Sequence, residues 1–190
     1  MLISRFSTNN IEKEVEGFEK KYEFKFPPEY KGFLMKYNGG KTPETKFKIN
    51  RVSSHVNGFF GLGTADQYFN YSFLEVSGSI KDFVADQVIP IAKNGFGDYI
   101  VLGTDCDRFG KVYYFYHDRP TNYIELADSF KDFVDKCKSK KVKPVESIEE
   151  RKAYLIKNGK EANITENIIK LWQDEINEAT GINQEDLVLD

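Results

Sequence analysis

Residues 88–118, VIPIAKNGFGDYIVLGTDCDRFGKVYYFYHD, decide the fold, because three β-rich runs follow one another there with only turn residues between them. Val88–Ala92 is apolar around one proline, Tyr99–Gly103 is apolar and β-branched, and Lys111–His117 carries three tyrosines and a phenylalanine. Each composition suits a pleated surface buried on at least one face. Lys93–Gly97 and Asp105–Gly110 supply the turns,. Connections this short cannot hold a helical crossover, so the runs are expected to pair antiparallel.

Working outward, Ile11, Val15, Phe18 and Tyr22 recur at helical spacing behind Asn9 and Glu12, which resemble a capping box,. Pro27-Pro28 ends that helix and starts a second, whose apolar stripe is Tyr30, Phe33, Leu34 and Tyr37 and whose end is Asn38-Gly39-Gly40,. Phe47–Ile49 with Arg51-Val52 reads as a short strand before a polar turn at Ser53-Ser54, and Phe59–Gly63 as a buried strand. Asp66–Glu75 and Ile80–Asp86 read as helical turns. On the far side of the central runs, Tyr123–Ala127 is a further strand, and Asp128-Ser129 caps a helix bearing Phe130, Phe133, Val134 and Cys137,. Lys136, Lys138, Lys140, Lys141 and Lys143 form a basic run at its end, which complements the helix dipole without invoking nucleic acid,.

Pro144 marks a boundary. Beyond it, one helix over Ser147–Lys157 carries Ile148, Tyr154 and Leu155, with Gly159 as its stop. Another comes after Asn163 and Glu166, a second resemblance to a capping box, with Ile164, Ile168, Leu171, Trp172, Ile176 and Ala179 on one face and Gly181 as its stop,. Neither helix buries its stripe alone, so the pair must pack on the core, on each other or on a partner. The expected class is α+β: a single central, mostly antiparallel sheet of about five or six strands flanked by helices, with a two-helix C-terminal extension. The expected division is a domain over 1–143 and the extension over 144–190.

Two segments carry a resemblance. Ile89-Pro90-Ile91-Ala92, Asn94-Gly95-x-Gly97-Asp98-Tyr99-Ile100 and Gly110-Lys111-Val112-Tyr113 resemble the core of the SUKH superfamily (Smi/Knr-type domains), whose bacterial members commonly act as immunity proteins against secreted toxins. Phe26-Pro27-Pro28-Glu29-Tyr30-Lys31-x-Phe33-Leu34, closed by Tyr37-Asn38-Gly39-Gly40, is similar to the N-terminal signature of that superfamily. With Phe59–Leu62 and the helix after Asp128, the resemblance spans residues 10–138 in the superfamily's order and spacing. It implies a non-enzymatic binder that occludes a cognate toxin domain, a nuclease among the candidates, in the cell that makes it. Two alternatives remain: an interaction scaffold, and a hydrolase using His117 and nearby carboxylates.

Composition agrees with a packed domain: 190 residues, 40% hydrophobic and 15% aromatic,. No apolar run approaches the roughly 20 residues that cross a bilayer, and the N-terminus lacks the apolar region of a signal peptide, so a cytoplasmic protein without a membrane partner is expected. Cys106 and Cys137 lack metal-ligand spacing and are expected to stay thiols,. The net charge of −3 is unevenly spread: residues 1–50 carry +3, 51–130 carry −4, 131–143 carry +4 and 144–190 carry −6. An acidic face can steer a basic partner.

The chemical motifs fail one by one. Gly95-Phe96-Gly97 lacks the third glycine of a dinucleotide loop, since Ile100 stands there, and it sits in a hairpin,. Asp105-x-Asp107 with Gly110 falls short of a calcium loop at Phe109 and Tyr116,. His55 and His117 have no marked serine nucleophile. No cofactor, metal or direct nucleic-acid contact is expected, and the oligomeric state stays open. Because strands alternate faces, one aromatic set of the sheet should remain available to a partner. The expected contacts are Tyr99, Tyr114 and Tyr116 with Asp98, Asp105, Asp107 and Arg108 at the turns, where tyrosines offer amphipathic area and carboxylates steer. The competing reading makes Asp98 and Asp105 turn stabilisers and the tyrosines core.

Overall fold

The structure, a computed structural model, describes residues 1–119, 123–142, 145–180 and 184–189, and of 178–180 the backbone alone. Lys143, Pro144 and Gly181, assigned above to the basic run, a boundary and a helix stop, lie outside the described residues, as does the side chain of Ala179. Two compact units emerge: Met1–Lys141 together with Gln184–Asp190, and Val142–Asn183.

In the first unit, β1 (Leu2–Arg5) precedes two helices, α1 (Ile11–Tyr22) and α2 (Pro28–Tyr37). A long ribbon comes next, β2 (Gly40–Ile49) and β3 (Val52–Phe59), then a 3-10 turn at Gln67–Phe69 and the short helices α3 (Tyr71–Val76) and α4 (Ser79–Ala85). The central runs are β4 (Val88–Lys93), β5 (Tyr99–Gly103) and β6 (Val112–Phe115), then β7 (Tyr123–Ala127), α5 (Phe130–Lys136) and β8 (Lys138–Ser139). The second unit holds α6 (Ile148–Lys157), a 3-10 turn at Glu161–Asn163 and α7 (Glu166–Thr180), and β9 (Glu185–Asp186) belongs again to the first.

The mixed α and β composition and the antiparallel pairing are as expected, but the sheet is larger than five or six strands. Among the described residues it has nine, in the order β7-β6-β5-β4-β3-β2-β1-β9, with β8 also on β2. Three strands were unforeseen, and the single short strand expected over residues 47–52 is two long ones. β1, β8 and β9 are too short to show alternation and exist because partners hold them: Ser4 opposite Lys41, Thr45 opposite Ser139, Ile3 opposite Glu185. The first half of β2 was obscured by Pro43, which stands within the irregular register between Lys41 and Thr45, where a missing N–H is tolerated,. The extension is likewise more than two helices, since the chain after them supplies β9, buries Leu187 and places Val188 N–H on Tyr37 Oη at 3.0 Å.

Local readings shift in the same way. The ribbon turns at Asn50-Arg51, with Asn50 left-handed, while Ser53 and Ser54 lie inside β3. β3 ends at Phe59, so the Phe59–Gly63 run joins the last residue of that strand to the loop behind it. α1 is capped by a left-handed Asn10 without a side-chain bond, so Asn9 and Glu12 form no capping box. Thr165 Oγ1, not Asn163, accepts the Ile168 N–H at the start of α7. The capping box is found at Ser147 and Glu150 instead. The basic run leaves the helix after Lys136, because Lys138-Ser139 is strand.

The α2 stripe is fully used: Tyr30, Phe33, Leu34 and Tyr37 are all buried. Phe33 meets Phe130 of α5 at 5.0 Å and Phe59 of β3 at 5.3 Å between ring centroids, a geometry worth more than its area alone,. In α6 and α7 the stripes are only half-covered, and Arg151 lies 5.6 Å over the Trp172 ring while bonding Glu175 at 2.7 Å.

Two polar devices hold the first helices in place. Glu19 is buried, and its carboxylate accepts from the Phe26 N–H at 3.0 Å and from Lys25 and Lys31 at 2.9 and 3.1 Å. Burial pushes this carboxyl up, but the bonds from Lys25, Phe26 and Lys31 outweigh it and hold the group below its ordinary value. Asn38 ends α2 in the left-handed region, donates to the carbonyls of Ser7 and Leu62 at 2.6 and 3.0 Å and accepts from the Leu62 N–H at 2.8 Å. Gly39 comes next at φ +76°, where a Cβ would stand 2.6 Å from the Phe60 carbonyl oxygen.

Glu19→Gln should cost about 1–3 kcal/mol at pH 7 by urea titration, the loss expected when a buried N–H loses its ionised acceptor. Because the folded-state value is lowered, the wild-type contribution is present above the ordinary value of 4.5 and disappears as pH falls through the folded value, so the variant's stability should fall less with acid,. An equal midpoint for both proteins at pH 7 would refute the role. Gly39→Ala should destabilise by roughly 2 kcal/mol or more, through the left-handed strain and the carbonyl clash together. A melting temperature within experimental error of wild type would contradict it.

Candidate functional site

The β4–β5 turn, residues 94–98, gathers polar side chains from three parts of the chain. Asn94 organises it: its Oδ1 accepts from the backbone N–H groups of Phe96 and Asp98 at 2.8 and 3.0 Å. Its Nδ2 lies 3.1 Å from Asp98 Oδ2, 2.9 Å from Tyr114 Oη and 3.2 Å from Ser54 Oγ. Asp98 is buried and accepts from Tyr114 O–H at 2.6 Å, from His117 N–H at 3.1 Å and from His117 Nδ1 at 2.8 Å. Burial pushes the Asp98 carboxyl up, and the bonds from Tyr114, His117 and Asn94 more than offset it, so the group sits below the usual carboxylate range. Burial first, and Asp98 second, push the Tyr114 phenol up.

These bonds fix both histidines of the chain. An ionised Asp98 only accepts, so His117 Nδ1 carries the proton and the neutral ring leaves Nε2 bare,. His117 has 54% of its side chain exposed. His55, on β3, accepts the Gly95 N–H through Nε2 at 3.2 Å, so its neutral ring carries the proton on Nδ1,. Between them stands Phe96, 72% exposed, with its ring edge-on to His55 at 5.1 Å between centroids. Chemically, the Asp98–His117 pair orients an imidazole as acid–base sites do. Ser54 bonds Tyr114 and Asn94, and among the described residues no three His, Cys, Asp or Glu side chains come together to hold a metal.

The expected contact residues do not form one surface. Tyr114 and Asp98 are buried in the network, so their side chains serve the turn and offer a partner no area. Tyr99 and Tyr114 lie on opposite faces, since Tyr99 pairs with Phe115 and its neighbour Ile100 with Tyr114,. Tyr99 packs on Phe83 at 5.3 Å, while Tyr116 lies against Tyr114 at 4.8 Å under Arg119. Asp105 and Arg108 are spent on the β5–β6 turn: Asp105 accepts from the N–H groups of Asp107 and Arg108 at 2.9 and 2.8 Å and from Arg108 Nε at 2.6 Å. Only Asp107 of that turn keeps a free carboxylate face, being exposed. That turn and Asp98 sit at opposite ends of a five-residue strand, roughly 17 Å apart at the usual rise,.

Sequence reasoning missed Asn94, Ser54, His55 and Phe96 as members of a site. Asn94 had a legible signal, an amide four residues before an aspartate in a hairpin. His55 had none, because its partner lies 40 residues away. Tyr114→Phe should cost about 1.5–3 kcal/mol, since it removes a donor to an ionised, buried acceptor. It should also speed hydrogen exchange at the Phe96 and Asp98 amides. Unchanged exchange there would show that the network does not hold the turn.

The family model described as the SMI1 / KNR4 family (SUKH-1) matches residues 11–136, which run from α1 through α5. No curated protein and no solved structure matches the chain.

Proposed function

The chain belongs to the SMI1 / KNR4 family (SUKH-1), and from that premise we propose that it is an immunity protein, which binds a cognate toxin domain in the cytoplasm of the producing cell and occludes it. The observation that carries this reading is the extent of the match, because it takes in both helices, the central hairpins and the closing helix of a domain known in immunity-type proteins. The disposition of the superfamily's signature residues supports a binder. Tyr30, Phe33 and Leu34 are core and Asn38 is a tether, so the signature maintains a scaffold and leaves the surface to the partner. The net charge of −3 and the surplus of four acids over residues 51–130 favour a basic partner such as a nuclease domain,. No helix of the described residues is long and apolar enough to cross a membrane.

An occluding protein acts by stoichiometry. Co-expression with its cognate toxin domain should restore growth, and the purified chain should abolish toxin activity at equimolar ratio with no effect of preincubation time. Protection far below equimolar, growing with time, would instead assign turnover, with the Asp98–His117 pair as its first suspect. Absence of any complex with a toxin domain of the producing cell would end the immunity reading.

A further inference from the structure

We infer that the β4–β5 hairpin tip is the contact point for a foreign protein, with Phe96 entering an apolar pocket and the Asp98–His117 pair accepting a hydrogen bond from a lysine or arginine on that pocket's rim. The inference deepens the binding reading and rests on it only for the existence of a protein partner.

A single exposed apolar side chain is ordinary on a protein surface and carries nothing by itself. Phe96 differs in its support. The residues on either side are glycines, and Gly97 meets the turn's need for a left-handed residue at φ +94°. The ring at Phe96 is therefore not required by the backbone. Its own N–H is fixed by Asn94 at 2.8 Å, and the residue behind it, Gly95, is fixed by His55 at 3.2 Å. Asn94 is in turn locked by Asp98, Tyr114 and Ser54, all within 3.2 Å. The backbone that carries the ring is thus held before binding, and a turn already ordered loses little freedom on binding, which favours an anchor residue at its tip,.

The polar rim of the tip has a definite chemistry. His117 Nδ1 is committed to Asp98 at 2.8 Å, so the exposed end of the ring is an acceptor backed by a buried negative charge. A cationic N–H donor satisfies it best. Two cations of the surrounding strands are engaged elsewhere: Arg119 is 4.0 Å from Asp118 and lies over Tyr116, and Lys93 sits 4.7 and 4.9 Å over the rings of Phe73 and Phe69. A lipid surface would need a cluster of free cations, which this arrangement does not supply. A second copy would present one convex tip to another, whereas stable interfaces bury on the order of 1,200–2,000 Å². A concave foreign surface fits both the shape and the charge.

The test replaces Phe96 with a benzophenone-bearing phenylalanine in the full chain, expressed in the producing cell. Irradiation should give an adduct with one other protein, identified by mass spectrometry. That protein, purified, should bind the wild-type chain and lose at least tenfold in affinity to Phe96→Ala, whose melting temperature should match wild type. No protein adduct at position 96, an adduct only with a second copy of the chain, or affinities within twofold for the two proteins would each overturn the inference. If the adduct is with a protein that is not a toxin, the contact stands and the immunity reading falls. If equimolar toxin inhibition survives Phe96→Ala unchanged, the immunity reading stands and the contact falls.

Discussion

The turn out of α2 is the constraint on which the rest of the first unit depends. Asn38 must be left-handed, must bond the carbonyls of Ser7 and Leu62 and must accept the Leu62 N–H, while Gly39 passes where no Cβ fits beside the Phe60 carbonyl. That knot fixes where β2 begins. β2 is the hub of the sheet, pairing with β1 and then β8 along one edge and with β3 along the other. The register of β3 then decides which side chains face the β4–β5 turn. Ser54 and His55 come beside it because β3 pairs with β4, Gly58 opposite Lys93 and Phe59 opposite Ala92, and a slip of one residue would exchange the faces of both,. The geometry at Phe96 is thus traceable to a helix cap about sixty residues upstream through a chain of strand registers,.

Two buried carboxylates show how the same physics serves fold and surface. Each is pushed up by burial and pulled back by donors. Glu19 takes two lysines and a backbone N–H, and its effect ends at the connection between α1 and α2. Asp98 takes a phenol, an amide and an imidazole whose far side is open to solvent. Removing the first loosens the core. Removing the second changes what the surface presents.

Features were legible in the sequence to the extent that their signals are local. The stripes of α1 and α2, the bounds of β5 and β7 and the Ser129 cap of α5 depend on neighbours within a few positions, and the structure has them where the pattern put them. β1, β8 and β9 depend on pairing across 35 residues or more and leave no local trace. The placement of the expected contact residues was hidden for the same reason. Asp98 and Asp105 were visible as turn carboxylates, but whether a carboxylate steers a partner or satisfies N–H groups is settled by donors brought in from β6 and by the arginine three residues on. The grouping of Tyr99 with Tyr114 required knowing the strand's faces, which alternation predicts only once one face is assigned,.

The edges of the sheet narrow the ways a partner can engage it. β7 is one edge, and strand addition there needs its outward carbonyls and N–H groups free,. Two of its carbonyls are occupied: Asn50, at the end of the β2–β3 ribbon, donates to Glu125 at 2.9 Å, and Lys136 reaches Leu126 at 3.4 Å. β9, at the other edge, pairs over two residues only, too short to template a strand. With one edge covered and the other brief, main-chain pairing is a poor basis for recognition here. Side chains must supply it, and an exposed aromatic ring on a hydrogen-bonded turn beside an oriented imidazole is the arrangement of side chains best prepared to do so,.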